Sequence, residues 1–270
     1  MLNVGDVMDD VADLIKEVTG AVIEPRFDAL READVTYKSP GEVVTIADVE
    51  AEQALRRGLD IIDSDCVVVG EEAASADPDL LKRLADERAW VVDPLDGTGN
   101  FVAGSLDWAV MVARIERGDT VAAWVWQPAT RTMWQAERGA GTVCNGVPVT
   151  RAPSTRPTSG LRGAVLTRFL DAATAERVEA NRHKFAEVTP GSKCTGIDYP
   201  RLIAGEADFM LYWRTLPWDH APGVLLAQEA GAFIRRPDGA SYRPDELATG
   251  LLVAADEAAW HQIREALLGT

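Results

Sequence analysis

The stretch Trp90–Gly104, WVVDPLDGTGNFVAG, constrains this chain more than any other. Trp90-Val91-Val92 is apolar and β-branched, the composition of a short buried strand. Pro94 has no N–H for a sheet ladder, so the strand is expected to stop there and the chain to turn. The turn puts two carboxylates, Asp93 and Asp96, at the strand's carboxyl end, and Gly97-Thr98 follow where a helix could begin. The first N–H groups of a helix have no partner inside it and hold phosphate well. Carboxylates beside them hold a hard divalent cation.

Two more acidic features fall at comparable places. Cys66–Val69 reads as a strand ending in Gly70-Glu71-Glu72, and Trp218-Asp219 precedes a helix expected over His220–Ala230. Strand ends of an α/β sheet converge on one edge, where ligands bind. Carboxylates gathered there repel one another unless cations bridge them. Magnesium fits, because it takes oxygen ligands and leaves positions for water or phosphate. A pair of such ions can activate a water and stabilise a leaving oxygen, which is the chemistry of phosphoester hydrolysis.

The rest of the chain supplies an ordinary globular frame. Hydrophobic residues make up 47% of the 270, enough for a large core and against disorder. A formal net charge of −16 argues against nucleic acid and anionic membrane as partners. The N-terminus is acidic where a signal peptide is basic, and no apolar run reaches membrane length. With Cys66, Cys144 and Cys194 unpaired in spacing, the expectation is reduced thiols in a cytoplasmic protein.

Leu2–Thr19 carries an apolar helical face, with Asn3 placed to cap it and Gly20 to stop it. A polar loop over Tyr37–Glu42 leads through Val43–Ile46 to a helix of roughly Asp48–Ile62. From Trp108 the pattern becomes an antiparallel meander: Ala109–Glu116, Thr120–Trp126, Thr132–Glu137 and, after the Asn145-Gly146 hairpin signal, Val147–Val149. Arg151–Ser159 is the expected boundary between halves spanning 1–152 and 153–270. Beyond it strands (Leu161–Thr167, Phe209–Trp213, Ala232–Arg235, Leu251–Ala254) alternate with helices (Ala172–Asn181, Ile197–Ala204, His220–Ala230, Asp256–Leu268). Trp124, Trp126 and Trp134 on the meander suit a core or a subunit interface. His220, alone at a helix start among carboxylates, reads as a packing or capping residue.

Gly70-Glu71-Glu72, the run Asp93–Phe101 and Trp218–Gly223, with weaker matches at Val44–Asp48 and Glu229–Gly231, resemble the inositol monophosphatase family of magnesium-dependent phosphatases in order and spacing. The resemblance implies an α/β fold, a layered αβαβα sandwich with an antiparallel sheet in the first half and a mostly parallel one in the second, usually as a homodimer. It implies two or three Mg2+ held by Glu71, Asp93, the Leu95 carbonyl, Asp96 and Asp219. Gly97 and Thr98 would offer N–H groups to phosphate, and Thr98 with Asp48 would orient and deprotonate the attacking water. Glu71 counts with Asp48 and Thr98 among the catalytic residues.

The chain departs from the family pattern at Glu42, where Asp is common, and at Gly99. Tyr212 and Arg214 form the expected substrate rim where inositol-specific relatives place a Glu, and Lys193–Asp198 replaces a segment of small residues. A small phosphorylated polyol or sugar is the expected substrate. Histidinol phosphate, fructose 1,6-bisphosphate and phosphoadenosine phosphates are alternatives, as is a protein-binding regulator that retains the site.

Overall fold

Side-chain alternation on the central strands builds the frame. Trp90 and Val92 share one face with Val110, Val112 and Trp124, while Ala89 and Val91 share the other with Met111, Ala113 and Val125. A strand apolar on both faces must be covered on both sides, and helices do this here. The computed structural model describes residues 4–39, 42–85 and 87–269. Asn3 and the Pro40-Gly41 part of the expected loop lie outside them.

In chain order the elements are α1 (Val4–Val18), β1 (Val35–Ser39), β2 (Glu42–Thr45), α2 (Ile46–Ile62), β3 (Val67–Gly70), α3 (Glu71–Ala76) and β4 (Arg88–Asp96). Then come α4 (Thr98–Val102), β5 (Ala109–Glu116), β6 (Asp119–Gln127), β7 (Thr132–Glu137), β8 (Gly141–Cys144) and β9 (Val147–Val149). The later part holds β10 (Arg162–Val165), α5 (Ala172–Asn181), β11 (Glu187–Thr189), α6 (Thr195–Ile203) and β12 (Phe209–Tyr212). It ends with α7 (Pro217–Glu229), β13 (Phe233–Arg235), β14 (Leu251–Ala254) and α8 (Glu257–Leu268).

Strands β3 to β9 form a seven-stranded sheet in sequence order, parallel only at β3–β4. A five-stranded sheet runs β11-β10-β12-β14-β13. Three apolar clusters define the layers. One packs α1 and α2 on the outer face of the first sheet, the next holds α6 and α7 between the sheets, and the third packs α5 and α8 outside the second. This is the expected αβαβα order. The Trp residues of the meander are core: Trp124 is fully buried, and Trp126 and Trp134 are 6% and 7% exposed.

Several expectations give way to specific local causes. Pro94 does not end its strand. Asp93 pairs with Met111 and Asp96 with Ala109, so β4 carries an extra residue in a bulge that spares Pro94 the ladder donor it lacks. The Tyr37–Glu42 stretch is largely strand, because β1 and β2 pair antiparallel from Val35–Thr45 to Ser39–Glu42. Gly20 does not stop the first helix; the backbone widens into a π turn (Thr19–Ile23) and then tightens into a 3₁₀ turn through Arg26. The second sheet is mixed, since β14 runs antiparallel to both β12 and β13. Helix α7 starts at Pro217, ahead of the expected His220, with proline at its first position, where the missing N–H costs nothing.

The two interlayer helices touch through a glycine. A Cβ on Gly223 of α7 would overlap the ring of the fully buried Tyr199 of α6. Gly223→Ala should therefore destabilise the fold by ~1–3 kcal/mol through overpacking. Gly99→Ala, where a Cβ meets nothing within 4 Å, should not. Urea unfolding of the two variants checks this, and equal midpoints would contradict the packing account.

Candidate metal and phosphate site

Three elements bring their acids to one place. Glu71 opens α3 after β3, Asp93 lies on β4 beside it, and Asp219 sits in the first turn of α7 from the later half of the chain. One carboxylate oxygen from each lies within 4.8 Å of the others. Asp93 is 1% exposed, and Glu71 and Asp219 are half-buried. Burial first, then the charge of Glu71, holds Asp93 and Asp219 well above the ordinary carboxylate range. The donors are hard oxygens, with no imidazole or thiol among them. This set suits a hard divalent cation, which would remove the repulsion that protonation relieves otherwise.

Asp96 is held differently. Its Oδ2 accepts from the Gly196 N–H (2.6 Å), from Thr195 Oγ1 (2.8 Å) and from Cys194 Sγ (3.2 Å), all at the start of α6. That leaves Oδ1 as its oxygen for an ion. Burial is the main cause raising Asp96 to about 6, and these donors oppose it. Asp93 is braced by the Leu95 N–H at 3.0 Å. The Leu95 carbonyl, expected as a ligand, lies 2.9 Å from Thr98 Oγ1.

The expected water-orienting pair is assembled. Thr98 Oγ1 lies 2.9 Å from Asp48 Oδ1. Asp48 is the third residue of α2 rather than its start, because Thr45 caps that helix. Asp48 Oδ2 accepts from both the N–H (2.7 Å) and the hydroxyl (2.5 Å) of Thr45, a reciprocal cap that fixes its rotamer. Burial raises Asp48 to about 6, against the pull of these donors. Gly97 precedes Thr98 with φ +85°, and a Cβ there would stand 2.9 Å from the Asp107 carbonyl oxygen. Only glycine serves at that turn.

The rim differs from expectation. Tyr212 is 1% exposed, its hydroxyl turned to Met210 Sδ at 3.2 Å and its ring stacked on Tyr199, so it belongs to the interlayer core. Its large ring is placed by the inward face of β12. Arg214 stands at the surface edge, its guanidinium 4.1 Å from the Phe169 ring centre and ion-paired with Glu42. Cys194, Thr195 and Gly196 face Asp96, while Lys193, with φ +64°, is exposed. His220 is buried between Tyr199 Oη (2.9 Å) and the Arg214 carbonyl (3.1 Å), as a packing residue. Burial lowers it to about 3.

Sequence reasoning missed Lys38, whose ammonium reaches Glu71 Oε1 at 3.0 Å and Glu72 Oε1 at 2.7 Å. It also missed that Glu42 and Arg214, two departures from the family pattern, pair with each other. A charged residue on an unrecognised hairpin carries no spacing signal toward a partner so distant in the chain.

Protons and a divalent cation compete for these oxygens. A carboxyl raised in the folded state contributes stability at low pH, and this is lost as pH rises through its folded value, about 6 for Asp96, with Asp93 and Asp219 raised in the same direction by burial. Bound Mg2+ restores it. The rise in Tm on adding Mg2+ should thus be larger at about pH 8 than at about pH 5, by scanning fluorimetry. An equal increment at both would contradict the assignment.

The inositol monophosphatase family model matches residues 6–268. Among similar proteins, the chloroplastic phosphatase IMPL1 of Arabidopsis thaliana is 31% identical over 242 residues, covering 83% of this chain and 60% of that protein. The inositol-1-monophosphatase of Rhizobium meliloti (strain 1021) is 30% identical over 252 residues, 89% of this chain and 88% of that one. A solved IMPase of Thermotoga maritima superposes with a TM-score of 0.77 at 22% identity, over 98% of this chain and 96% of that one, a likeness of fold. The chain belongs to the inositol monophosphatase family of phosphatases, enzymes that hydrolyse phosphoric monoesters.

Proposed function

We propose that this phosphatase is magnesium-dependent and that its site acts on a small phosphorylated polyol or sugar carrying a second anionic group. The observation that carries the site assignment is the convergence of Glu71, Asp93 and Asp219 beside the Thr98–Asp48 hydrogen bond. Glu71, Asp93, Asp219, Asp96 through Oδ1 and the Leu95 carbonyl would hold two or three Mg2+. Bound there, the ions supply Lewis-acid charge to the phosphoryl oxygens and lower the pKa of a water.

The chain's own groups do the rest. Gly97 and Thr98, at the start of α4, offer backbone N–H groups to the phosphate. The Thr98 hydroxyl donates to Asp48, which leaves an Oγ1 lone pair to accept from the attacking water. Asp48, raised to about 6, is ionised at neutral pH and basic enough to receive the proton relayed through Thr98. The three free cysteines fit a reducing compartment such as the cytoplasm.

Substrate choice follows from the rim. The Rhizobium meliloti relative is named for inositol 1-phosphate. Here no carboxylate replaces the buried Tyr212, so the hydroxyls of a neutral ring would go unpaired there, at ~1–3 kcal/mol for each one buried. Arg214 instead offers a planar fork suited to carboxylate or phosphate. Its partner Glu42 is displaceable, because a partly exposed ion pair contributes at most about 1 kcal/mol.

Phosphate release with Mg2+ should therefore give a higher kcat/KM for fructose 1,6-bisphosphate than for histidinol phosphate, inositol 1-phosphate or glycerol 2-phosphate. Arg214→Ala should raise KM for the doubly charged substrate by roughly tenfold or more, the loss of a charge-assisted bond. A clear preference for inositol 1-phosphate that survives Arg214→Ala would overturn this reading of the rim.

A further inference from the structure

The residue that fixes Glu71 in place is not among the site's acids. Glu71 and Glu72 begin α3, a helix of only 6 residues. A helix this short does not hold its own geometry in water. Its first turn is instead clamped from α2. Glu52 Oε2 accepts from the Glu72 N–H at 2.7 Å, and Oε1 accepts from the Ala73 N–H at 2.9 Å. Glu52 is 8% exposed, and burial raises it while these two N–H groups lower it. Gly70, the residue before Glu71, makes room for the clamp. A Cβ there would overlap the carboxyl of Glu52.

We propose that Glu52 is a positioning residue for the metal centre, acting through α3 to hold Glu71 at the distance from Asp93 and Asp219 that a divalent cation requires. This rests on the metal reading given above. Both Glu52 oxygens accept backbone N–H groups of α3, and Glu52 is not in the converging trio, so its action on the site runs through the backbone of α3. It lies four residues after Asp48, one turn along the same face of α2. A single rigid helix therefore spaces the water-orienting Asp48–Thr98 pair from the Glu71 ligand. Lys38, bonded to both Glu71 and Glu72, closes the cluster from β1.

The test reads cation binding directly, by Mn2+ titration of the full chain followed by electron paramagnetic resonance, with no substrate present. Glu52→Gln keeps the volume but sets an amide N–H₂ against a backbone N–H. It should weaken Mn2+ binding about 10- to 100-fold, the usual cost of losing a group that orients a ligand. Gly70→Ala, which leaves every charge in place, should weaken binding in the same way. The double variant Glu52→Ala/Gly70→Ala should bind no more weakly than Glu52→Ala alone, because both remove one contact.

Leu59→Ala, a fully buried residue farther along α2, should lower Tm while leaving the Mn2+ affinity native. It separates positioning from general destabilisation. Native Mn2+ affinity in folded Glu52→Gln, or in Gly70→Ala should the first variant not fold, would overturn the proposal and leave the metal centre standing. Absence of Mn2+ binding by the native protein would remove the metal centre itself and the proposal with it.

Discussion

The structure depends on burying several like charges at one point. Asp93 is nearly inaccessible, and carboxylate oxygens of Glu71, Asp93 and Asp219 lie within 4.8 Å of one another. Carboxylates do not gather in a protein interior unless protons, cations or N–H donors compensate them. Each neighbouring element can be read as part of that compensation. Thr195 and Gly196 hold Asp96, the Leu95 N–H holds Asp93, Lys38 holds Glu71, and Thr45 with Thr98 holds Asp48.

The layered fold makes the gathering possible. Two sheets sandwich α6 and α7, so helix starts from the later half of the chain reach strand ends from the earlier half. Asp219 arrives on one of these helices, and the other braces Asp96. The close Tyr199–Gly223 contact locks the two helices as a pair, so displacement of either moves both Asp219 and the brace of Asp96. Outside this arrangement lies the rim, where Arg214, Phe169 and Glu42 meet across distant segments. The buried acids lie in the motifs that carry the family resemblance; the rim pairing lies outside those motifs.

Much of this was legible in the sequence where the signal is local. Ala109–Glu116, Thr132–Glu137, Val147–Val149, Leu251–Ala254 and Ala172–Asn181 are bounded by turn residues, and the observed elements match those limits. The acids Glu71, Asp93 and Asp219 announced themselves as charge spent at strand ends and helix starts. Features set by distant partners were hidden. The polar residues of β1 and β2 look like loop until they pair, and the direction of β14 depends on neighbours far along the chain. A cap such as Thr45 lies outside the apolar stripe, so α2 began earlier than its hydrophobic pattern. Tyr212 sat in the right segment, but alternation along β12 turns it inward. Glu52 carried a usable signal, one helical turn from Asp48, whose meaning appears only once α3 is docked on it.

The central claim is that the acids around Asp93 form a divalent-cation centre that hydrolyses a phosphoester. Release of inorganic phosphate as a function of Mg2+ concentration, for the native protein and for Asp93→Asn, tests it most directly. The account predicts saturable Mg2+ dependence and silence in EDTA for the native protein. For Asp93→Asn it predicts background release with a native circular dichroism spectrum. Substantial release by metal-stripped Asp93→Asn would contradict it.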